Sequence, residues 1–177
     1  MQIIKTKFEK LFFINHESYK DNRGGFARLY CDKQVKNINF KVKQVNISIN
    51  KKKFTLRGFH YQKKPYEEDK IISCVAGKIY NVAIDLRKKS KTYLKCHKVF
   101  LDSKKNISLH VPKGFANAYL TIENNTKIIY FMSQFYNPKH SMGFCYDDNF
   151  FSIKWPHKPL IISKKDRALG FFNEYRK

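Results

Sequence analysis

Short segments in which apolar and polar side chains alternate recur along most of this 177-residue chain. Residues 43–49, 78–85 and 107–111 follow the period of two that places successive side chains on opposite faces of a strand. A helical period is absent until residues 164–175, where Ser163 is suited to cap a short helix. Many short strands with little helix are typical of a jelly roll, in which two sheets enclose a cavity. The sequence therefore predicts an all-β jelly-roll barrel or sandwich with short helices near the C-terminus.

Turn residues separate the predicted strands. Residues 76–78 contain a glycine, and residues 123–126 contain two consecutive asparagines. Because Gly and Asn tolerate the backbone conformations that hairpin turns require, consecutive strands are expected to pair antiparallel.

One predicted strand divides its polarity cleanly between its two faces. The polar face carries Gln44, Asn46 and Ser48, and the apolar face carries Val45, Ile47 and Ile49. Polar side chains inside a barrel are costly unless they bind something, so the polar face is either the solvent side or part of a site. The alternation alone does not choose between these two possibilities.

The composition favours a globular protein with one core. Hydrophobic residues make up 42% of the chain and aromatic residues 16%, and the length suits a single domain over residues 1–177. The four cysteines form no C-x-x-C pair and lie in apolar segments, which predicts buried free thiols in a reducing, cytoplasmic setting. No segment resembles a signal peptide or could span a bilayer, so no membrane association is expected.

The chain carries a formal net charge of +22, which raises the question of an anionic partner. Lysine supplies most of this charge in short scattered runs such as residues 51–53. No helix-turn-helix pattern, zinc-finger spacing or aromatic RNA-binding motif accompanies it. A solvated surface rich in lysine is the simpler explanation of the charge, and nucleic acid is not expected as a partner.

Two further segments carry the candidate chemistry, residues 55–62 and 111–117. The first contains a lone histidine, His60, and the second ends at Asn117. Zinc and non-haem iron require three or more imidazole, thiolate or carboxylate ligands, and an asparagine amide substitutes poorly for any of them. We expect no metal site and no cofactor.

The order of several motifs identifies a resemblance. They are residues 21–26, Gln44 with 46–48, the segment Leu-Arg-Gly-Phe-His-Tyr-Gln at 56–62, Lys70, 77–87, 111–116, Tyr130, 136–138, 155–156 and 163–166. From about Ile14 to Arg167 the chain resembles the dTDP-4-dehydrorhamnose 3,5-epimerases and their relatives that act on other nucleotide-linked 4-keto sugars. The resemblance implies a cupin-type jelly roll, a nucleotide-diphosphate sugar as substrate, and a homodimer.

In this family a ketone at C4 of the sugar acidifies the hydrogens at C3 and C5. By resemblance His60 is the base, and Asp166 fixes its tautomer and stabilises the imidazolium that forms. Tyr130 resembles the general acid that protonates the opposite face. Lys70 matches the cation beside the developing O4 oxyanion.

The resemblance also implies a substrate-binding set, made of Arg23, Arg28, Gln44, Asn46, Arg57, Asn117 and Tyr136. The guanidinium groups of Arg23 and Arg57 suit a diphosphate or the sugar. Asn117 stands where the dTDP-rhamnose enzymes carry a histidine, and Arg28 where they usually carry a glutamate near the nucleotide. Asn81 and Ser73 replace an acidic and a basic residue on neighbouring strands. These departures imply a substrate other than the usual rhamnose precursor, for example a GDP- or CDP-linked sugar or a 6-deoxy-heptose for a surface polysaccharide such as a capsule.

Two alternative functions share the same residues. A sugar 3,4-ketoisomerase would use the same enolate but move the carbonyl, and a non-catalytic module would bind an anionic ligand through charge alone. His110 is interpreted as a strand residue, and its same-face neighbours Ser108 and Pro112 suggest the solvent side rather than a site.

Overall fold

The computed structural model describes residues 1–35 and 38–172. Within them the chain forms fourteen strands, one short α-helix and a 3-10 helix at Ser103–Lys105. They are β1 (Gln2–Lys5), β2 (Phe12–Asn15), β3 (Ser18–Asp21), β4 (Gly24–Ala27), β5 (Gln44–Asn50), β6 (Thr55–Gln62), β7 (Lys70–Ala76), β8 (Lys78–Asp85), β9 (Cys96–Asp102), β10 (Ile107–Val111), β11 (Phe115–Thr121), β12 (Thr126–Met132), β13 (Ser141–Gly143), β14 (Ile161–Ile162) and α1 (Lys164–Arg167). No helix in the described ranges is long and apolar enough to cross a membrane.

Two sheets form the body of the molecule. The first has the order β1-β2-β10-β7-β12-β5, and the second has the order β13-β6-β11-β8-β9, with β14 added parallel to β6. Their facing side chains form one core that combines residues of β7, β10 and β12 with residues of β8 and β11, including Ile72, Leu109, Ile128, Ile79 and Phe115. This arrangement confirms the predicted all-β jelly roll.

The expected hairpins at residues 76–78 and 123–126 are wrong. β7 and β8 flank Gly77, yet they belong to different sheets, and the same holds for β11 and β12. Among the described strands, consecutive pairing occurs only in β1–β2, β3–β4 and β8–β9. The turns have the residues that a reversal requires, with Gly77 at φ 74° and Asn125 at φ 54°. Local alternation shows where a strand ends, but not which sheet the next strand joins.

An aromatic cluster covers the outer face of the second sheet. Phe59 of β6 stacks on Phe144 with ring centroids 4.9 Å apart, and Phe172 meets Phe144 edge-on at 5.2 Å. The chain after β13 thus lies against β6, and β14 pairs with β6 through Ile161 and Ile162. Because α1 follows β14 directly, this pairing brings the helix beside the middle of β6.

Three details differ from expectation. The C-terminal helix is capped by Ser163 as predicted but ends at Arg167, because the chain then extends to dock Phe172; residues 173–175 lie outside the described residues. The four cysteines are free, but only Cys74 is buried. His110 is buried rather than solvent-facing, because the His110 imidazole stacks on Phe12 of β2, the strand beside β10.

Candidate active site

Two adjoining cavities lie between the sheets. The larger, of about 570 Å³, is lined by β5, β6, β7 and the segment around Ser163, and the smaller, of about 400 Å³, by β5, β6, β11 and β12. The residues common to both are Asn46, Arg57, His60, Lys70 and Met132. The polar face of β5 therefore belongs to the site. Within residues 1–35 and 38–172, no cluster of three or more His, Cys, Asp or Glu is arranged to hold a metal ion.

His60 and Asp166 form a hydrogen-bonded pair at the cavities. The Nε2 atom of His60 lies 2.9 Å from Oδ1 of Asp166, and the backbone N–H of Gly58 donates to Oδ2 at 3.3 Å. An ionised carboxylate only accepts hydrogen bonds, so Nε2 carries the proton and the lone pair is on Nδ1. The His60 side chain is 43% exposed and that of Asp166 only 6%. The imidazole is open to a ligand, and the carboxylate behind it is not.

Gly58 permits the close packing that places this pair. A Cβ at Gly58 would lie 2.6 Å from the carbonyl oxygen of Asn117 on β11, and the residue has φ 114°. β6 and β11 can therefore approach each other closely at Gly58. Two residues further along β6, His60 pairs with Asn117 of β11. Ser163 fixes the position of Asp166, because the Ser163 hydroxyl accepts a hydrogen bond from the backbone N–H of Asp166 and caps α1.

The pKa of Asp166 is lowered. Burial alone would raise it, but the hydrogen bond and charge of His60, with further hydrogen bonds from Gly58 and Ser163, outweigh burial. The carboxylate therefore stays ionised under conditions in which the imidazole acts as a base.

A pH dependence of stability follows from that shift. A depressed carboxyl pKa contributes stability above the unfolded pKa of about 4, and this stability is lost as the pH falls through the folded pKa. We expect the thermal midpoint of the wild type to exceed that of Asp166→Asn at neutral pH, and the gap to narrow below about pH 4. Calorimetry of both proteins across pH checks this, and a gap that stays constant down to acid pH would contradict it.

Lys70 and Glu68 form a buried ion pair at the wall of the larger cavity. Nζ of Lys70 lies 3.0 Å from Oε1 of Glu68, and both side chains are almost fully buried. Oε2 of Glu68 has no hydrogen-bond partner in the described structure. The ammonium group therefore has a fixed position with a negative charge behind it and the cavity in front.

Tyr130 reaches the smaller cavity from β12, in the sheet opposite His60. Burial raises the pKa of Tyr130 well above its usual value, and the neighbouring Tyr119 hydroxyl adds to the increase. The phenol remains protonated at neutral pH and is available as a proton donor.

Asn81 and Asn117 pair with each other. Each amide donates to the oxygen of the other, at 2.9 and 3.1 Å, and both side chains are buried. Asn117 also lines the smaller cavity. The two residues that depart from the family pattern, Asn81 and Asn117, thus form one uncharged hydrogen-bonded pair, and the amide of Asn117 lies at the cavity wall.

Known proteins are similar to this chain in sequence and in fold. The profile of the dTDP-4-dehydrorhamnose 3,5-epimerase family matches residues 5–174. The enzyme of that name from Escherichia coli K12 is 30% identical over 177 residues, which cover 98% of this chain and 96% of that protein. The chain belongs to the dTDP-4-dehydrorhamnose 3,5-epimerase family. It is therefore an isomerase of the sugar-epimerase type, as the motifs predicted.

Solved structures of family members superpose closely. The Bacillus anthracis epimerase, with TDP and PPi bound, has a TM-score of 0.92 at 32% identity and covers 96% of this chain and 98% of its own. The Legionella pneumophila enzyme, in complex with dTDP-4-keto-L-rhamnose, has a TM-score of 0.91 at 29% identity and covers 97% and 93%.

Not every residue of the expected binding set lies at the cavities of a single epimerase chain. Gln44, Asn46, Arg57, Asn117 and Tyr136 line them. Arg23 instead sits on the β3–β4 hairpin, 86% exposed and paired with Asp21 at 2.6 Å. Arg28 lines a separate small depression with Met1 and Glu17. Within one chain these two arginines do not converge with the rest.

The structure adds two residues that lie outside the motifs, Glu68 at the larger cavity and Tyr119 at the smaller one. Gln62, Lys165 and Ser48 also line the cavities; they lie within the motifs but had been given no role. Glu68 could have been found from its position two residues before Lys70, and Tyr119 from its position two residues after Asn117 on one strand face.

Proposed function

We propose that this epimerase inverts C3, C5 or both centres of a nucleotide-diphosphate-linked 4-keto-6-deoxy sugar, a hexose or a heptose made in the cytoplasm for a surface polysaccharide. The observation that carries the proposal is the placement of His60 and Tyr130 on opposite sheets around one cavity, whose lining also contains Lys70 of β7, the strand beside β12. A base and an acid that reach a sugar from opposite sides are what inversion through an enolate requires.

The mechanism follows from these positions. Nδ1 of His60 takes the proton next to the ketone, and the electron pair of that C–H bond moves into the enolate while O4 becomes negative. The ammonium of Lys70 stabilises that oxygen, and such a preorganised charge contributes roughly 10²–10³-fold. Tyr130 then gives its phenolic proton to the same carbon from the other face. Both side chains recover their starting protonation by exchange with water.

The larger cavity suits the nucleotide diphosphate. Arg57 and Lys165 supply positive charge at its wall, and guanidinium groups bind phosphate oxygens well. Gln44, Asn46 and Tyr136 are grouped beside them, since Oε1 of Gln44 accepts from the N–H of Tyr136 at 3.1 Å.

The working unit is proposed to be a homodimer. β5 is an edge strand of the first sheet, and its apolar side chains Val45, Ile47 and Ile49 are 54%, 58% and 56% exposed. The β3–β4 hairpin likewise presents exposed aromatic side chains beside Arg23. A two-fold pairing of these apolar surfaces covers both, and it carries Arg23 to the site of the partner.

Complementation between inactive variants tests Arg23. Arg23→Ala is expected to weaken substrate binding about 10–100-fold, since charge-assisted hydrogen bonds contribute about 1.5–3 kcal/mol. Differently tagged Arg23→Ala and His60→Asn chains are co-expressed and the mixed dimers purified. If Arg23 acts on the partner's site, each mixed dimer has one intact site and about half of the wild-type activity. Mixed dimers with no more than the activity expected for an Arg23→Ala site would show that Arg23 acts within its own chain, and unimpaired binding by the Arg23→Ala homodimer would show that Arg23 has no role.

Deuterium incorporation tests the function itself. The protein is incubated in D₂O with a panel of dTDP-, GDP- and CDP-linked 4-keto-6-deoxy sugars, and the products are analysed by NMR and mass spectrometry. Inverted sugars with deuterium at C3, C5 or both support the proposal and identify the substrate. Movement of the carbonyl to C3 would indicate a ketoisomerase, and the absence of any exchange would overturn the enzyme assignment for this panel.

A further inference from the structure

A buried asparagine outside the two cavities holds the side chain of Arg57. Nε of Arg57 donates to Oδ1 of Asn50 at 3.1 Å. Asn50 is the last residue of β5 in the first sheet, and Arg57 belongs to β6 in the second, so this hydrogen bond joins the two sheets. Arg57 lines both cavities, whereas Asn50 belongs to neither lining. Asn50 therefore acts on a ligand only through the residues that it holds.

Other hydrogen bonds fix Asn50 itself. The residue is 2% exposed, and its Nδ2 donates to the carbonyl oxygen of Thr126 on β12 and to the hydroxyl of Ser48, each at 3.3 Å. A carbonyl can only accept and the Nε of an arginine can only donate, so one orientation of the amide satisfies both neighbours. Oδ1 also accepts from the hydroxyl of Tyr119 at 3.4 Å. The acceptor for Arg57 thus has a fixed position before any ligand binds.

The contact with Asn50 leaves the charge of Arg57 uncompensated. Among residues 1–35 and 38–172, no carboxylate forms a salt bridge with Arg57, whereas Arg87 pairs with Asp85 at 2.8 Å. The amide of Asn50 is neutral and accepts from Nε alone. A guanidinium whose plane is set at Nε presents its terminal nitrogens as a fork, which matches two oxygens of a phosphate group. Arg57 is therefore oriented and still fully charged.

Orientation matters here because Arg57 is an exposed residue. An exposed arginine has many rotamers, and binding a ligand in one of them costs affinity, because the side chain loses that freedom. A side chain that is held in the binding orientation beforehand loses less freedom on binding. The hydrogen bond to Asn50 is therefore expected to strengthen the binding of a phosphate by Arg57.

We propose that Asn50 is a positioning residue for diphosphate binding, which sets the orientation of Arg57 without neutralising its charge. This inference rests on the proposed function, because it assigns Arg57 to the diphosphate of the substrate. It concerns binding and not the proton transfers of His60 and Tyr130. Loss of the Asn50 amide is therefore expected to raise the KM for the sugar nucleotide and to leave the exchange rate at saturation unchanged.

Titration calorimetry with dTDP, GDP, CDP and inorganic pyrophosphate tests the contact without requiring turnover. Arg57→Ala is expected to weaken binding of the ligand that the wild type binds most tightly about 10–100-fold. Asn50→Ala is expected to weaken it about 3–10-fold, the cost of ordering one long side chain. Because Asn50 acts through Arg57, the double variant is expected to bind no more weakly than Arg57→Ala alone.

Asn124→Ala is the matched control, since Oδ1 of Asn124 accepts from the backbone N–H of Lys53 at 2.9 Å, outside both cavities. Its affinity is expected to equal that of the wild type. Thermal denaturation shows whether a loss of binding reflects misfolding. If Asn50→Ala does not fold, Asn50→Asp takes its place, because it keeps the size of the side chain and an acceptor for Arg57. Its carboxylate offsets the guanidinium charge, so binding is expected to weaken at least as much.

Three results would overturn the role of Asn50. They are wild-type affinity in the Asn50 variant, effects of Asn50→Ala and Arg57→Ala that multiply in the double variant, and a wild type that binds none of the four ligands. A different result would overturn the proposed function alone. In that case the affinities follow the expected pattern, but no sugar of the panel exchanges deuterium in D₂O.

Discussion

Replacing His60 with asparagine is expected to lower both deuterium exchange and product formation by roughly 10²–10⁴-fold. An amide has no basic lone pair near neutral pH, but its oxygen and nitrogen preserve much of the shape and hydrogen bonding of the imidazole. In the proposed mechanism His60 acts in abstraction, which precedes reprotonation, so the rates of exchange and of inversion are expected to fall together.

The matched control is His157→Asn. His157 stacks on Phe54 with ring centroids 3.6 Å apart, outside both cavities, and its loss is expected to leave the rates unchanged. Equal thermal midpoints for His60→Asn and the wild type would exclude unfolding as the cause. Substantial exchange by His60→Asn would assign the base to another residue and overturn the mechanism.

Much of the fold could be predicted from local sequence pattern, and the errors have one physical origin. The period of two at residues 78–85 and 107–111 corresponds to β8 and β10 as observed. Alternation reports which side chains share a face, but pairing depends on contacts with distant strands. Gly77 does lie at a reversal of the chain, but the reversal leads into the other sheet and not into the predicted hairpin.

The functional site on β5 could be predicted only in part for the same reason, because alternation shows which side chains share a face but not what that face contacts. Its polar and apolar faces were visible in the sequence, but only the neighbouring sheet shows that Asn46 points toward the cavities. The apolar face is left exposed in the single chain. In a single chain the polar face of β5 points inward and the apolar face outward, the reverse of the usual arrangement. A second subunit that covers Ile47 and its neighbours explains this reversal, and the sequence of one chain could not show which face is covered.

The contact between Asn81 and Asn117 could not be predicted by comparing sequence motifs. Read along the sequence they are two unrelated departures, 36 positions apart. In the fold they are diagonal neighbours on the paired strands β8 and β11, and each amide donates to the oxygen of the other. A neutral pair cannot change protonation, so the wall that it forms offers the sugar the same hydrogen bonds at any working pH.

Replacing Lys70 with methionine is expected to have a large effect on both stability and catalysis. It leaves Glu68 buried without a counter-ion, which costs about 3–5 kcal/mol of unfolding free energy. It also removes the charge beside the developing O4 oxyanion, and the loss of such a group lowers the rate roughly 10²–10³-fold. Chemical denaturation and the D₂O assay measure the two effects separately.

The double variant Lys70→Met with Glu68→Met separates the two roles of this pair. Replacing a whole buried ion pair with apolar side chains of similar volume is often neutral or stabilising, so most of the lost stability is expected to return. Catalysis is not expected to return, because the oxyanion still lacks its cation. If the double variant recovered activity together with stability, Lys70 would act only as the partner of Glu68, and O4 would have to be stabilised by another group at the cavity wall. Stability that returns without activity would instead assign the Lys70 ammonium to the enolate, with Glu68 as the residue that fixes its position.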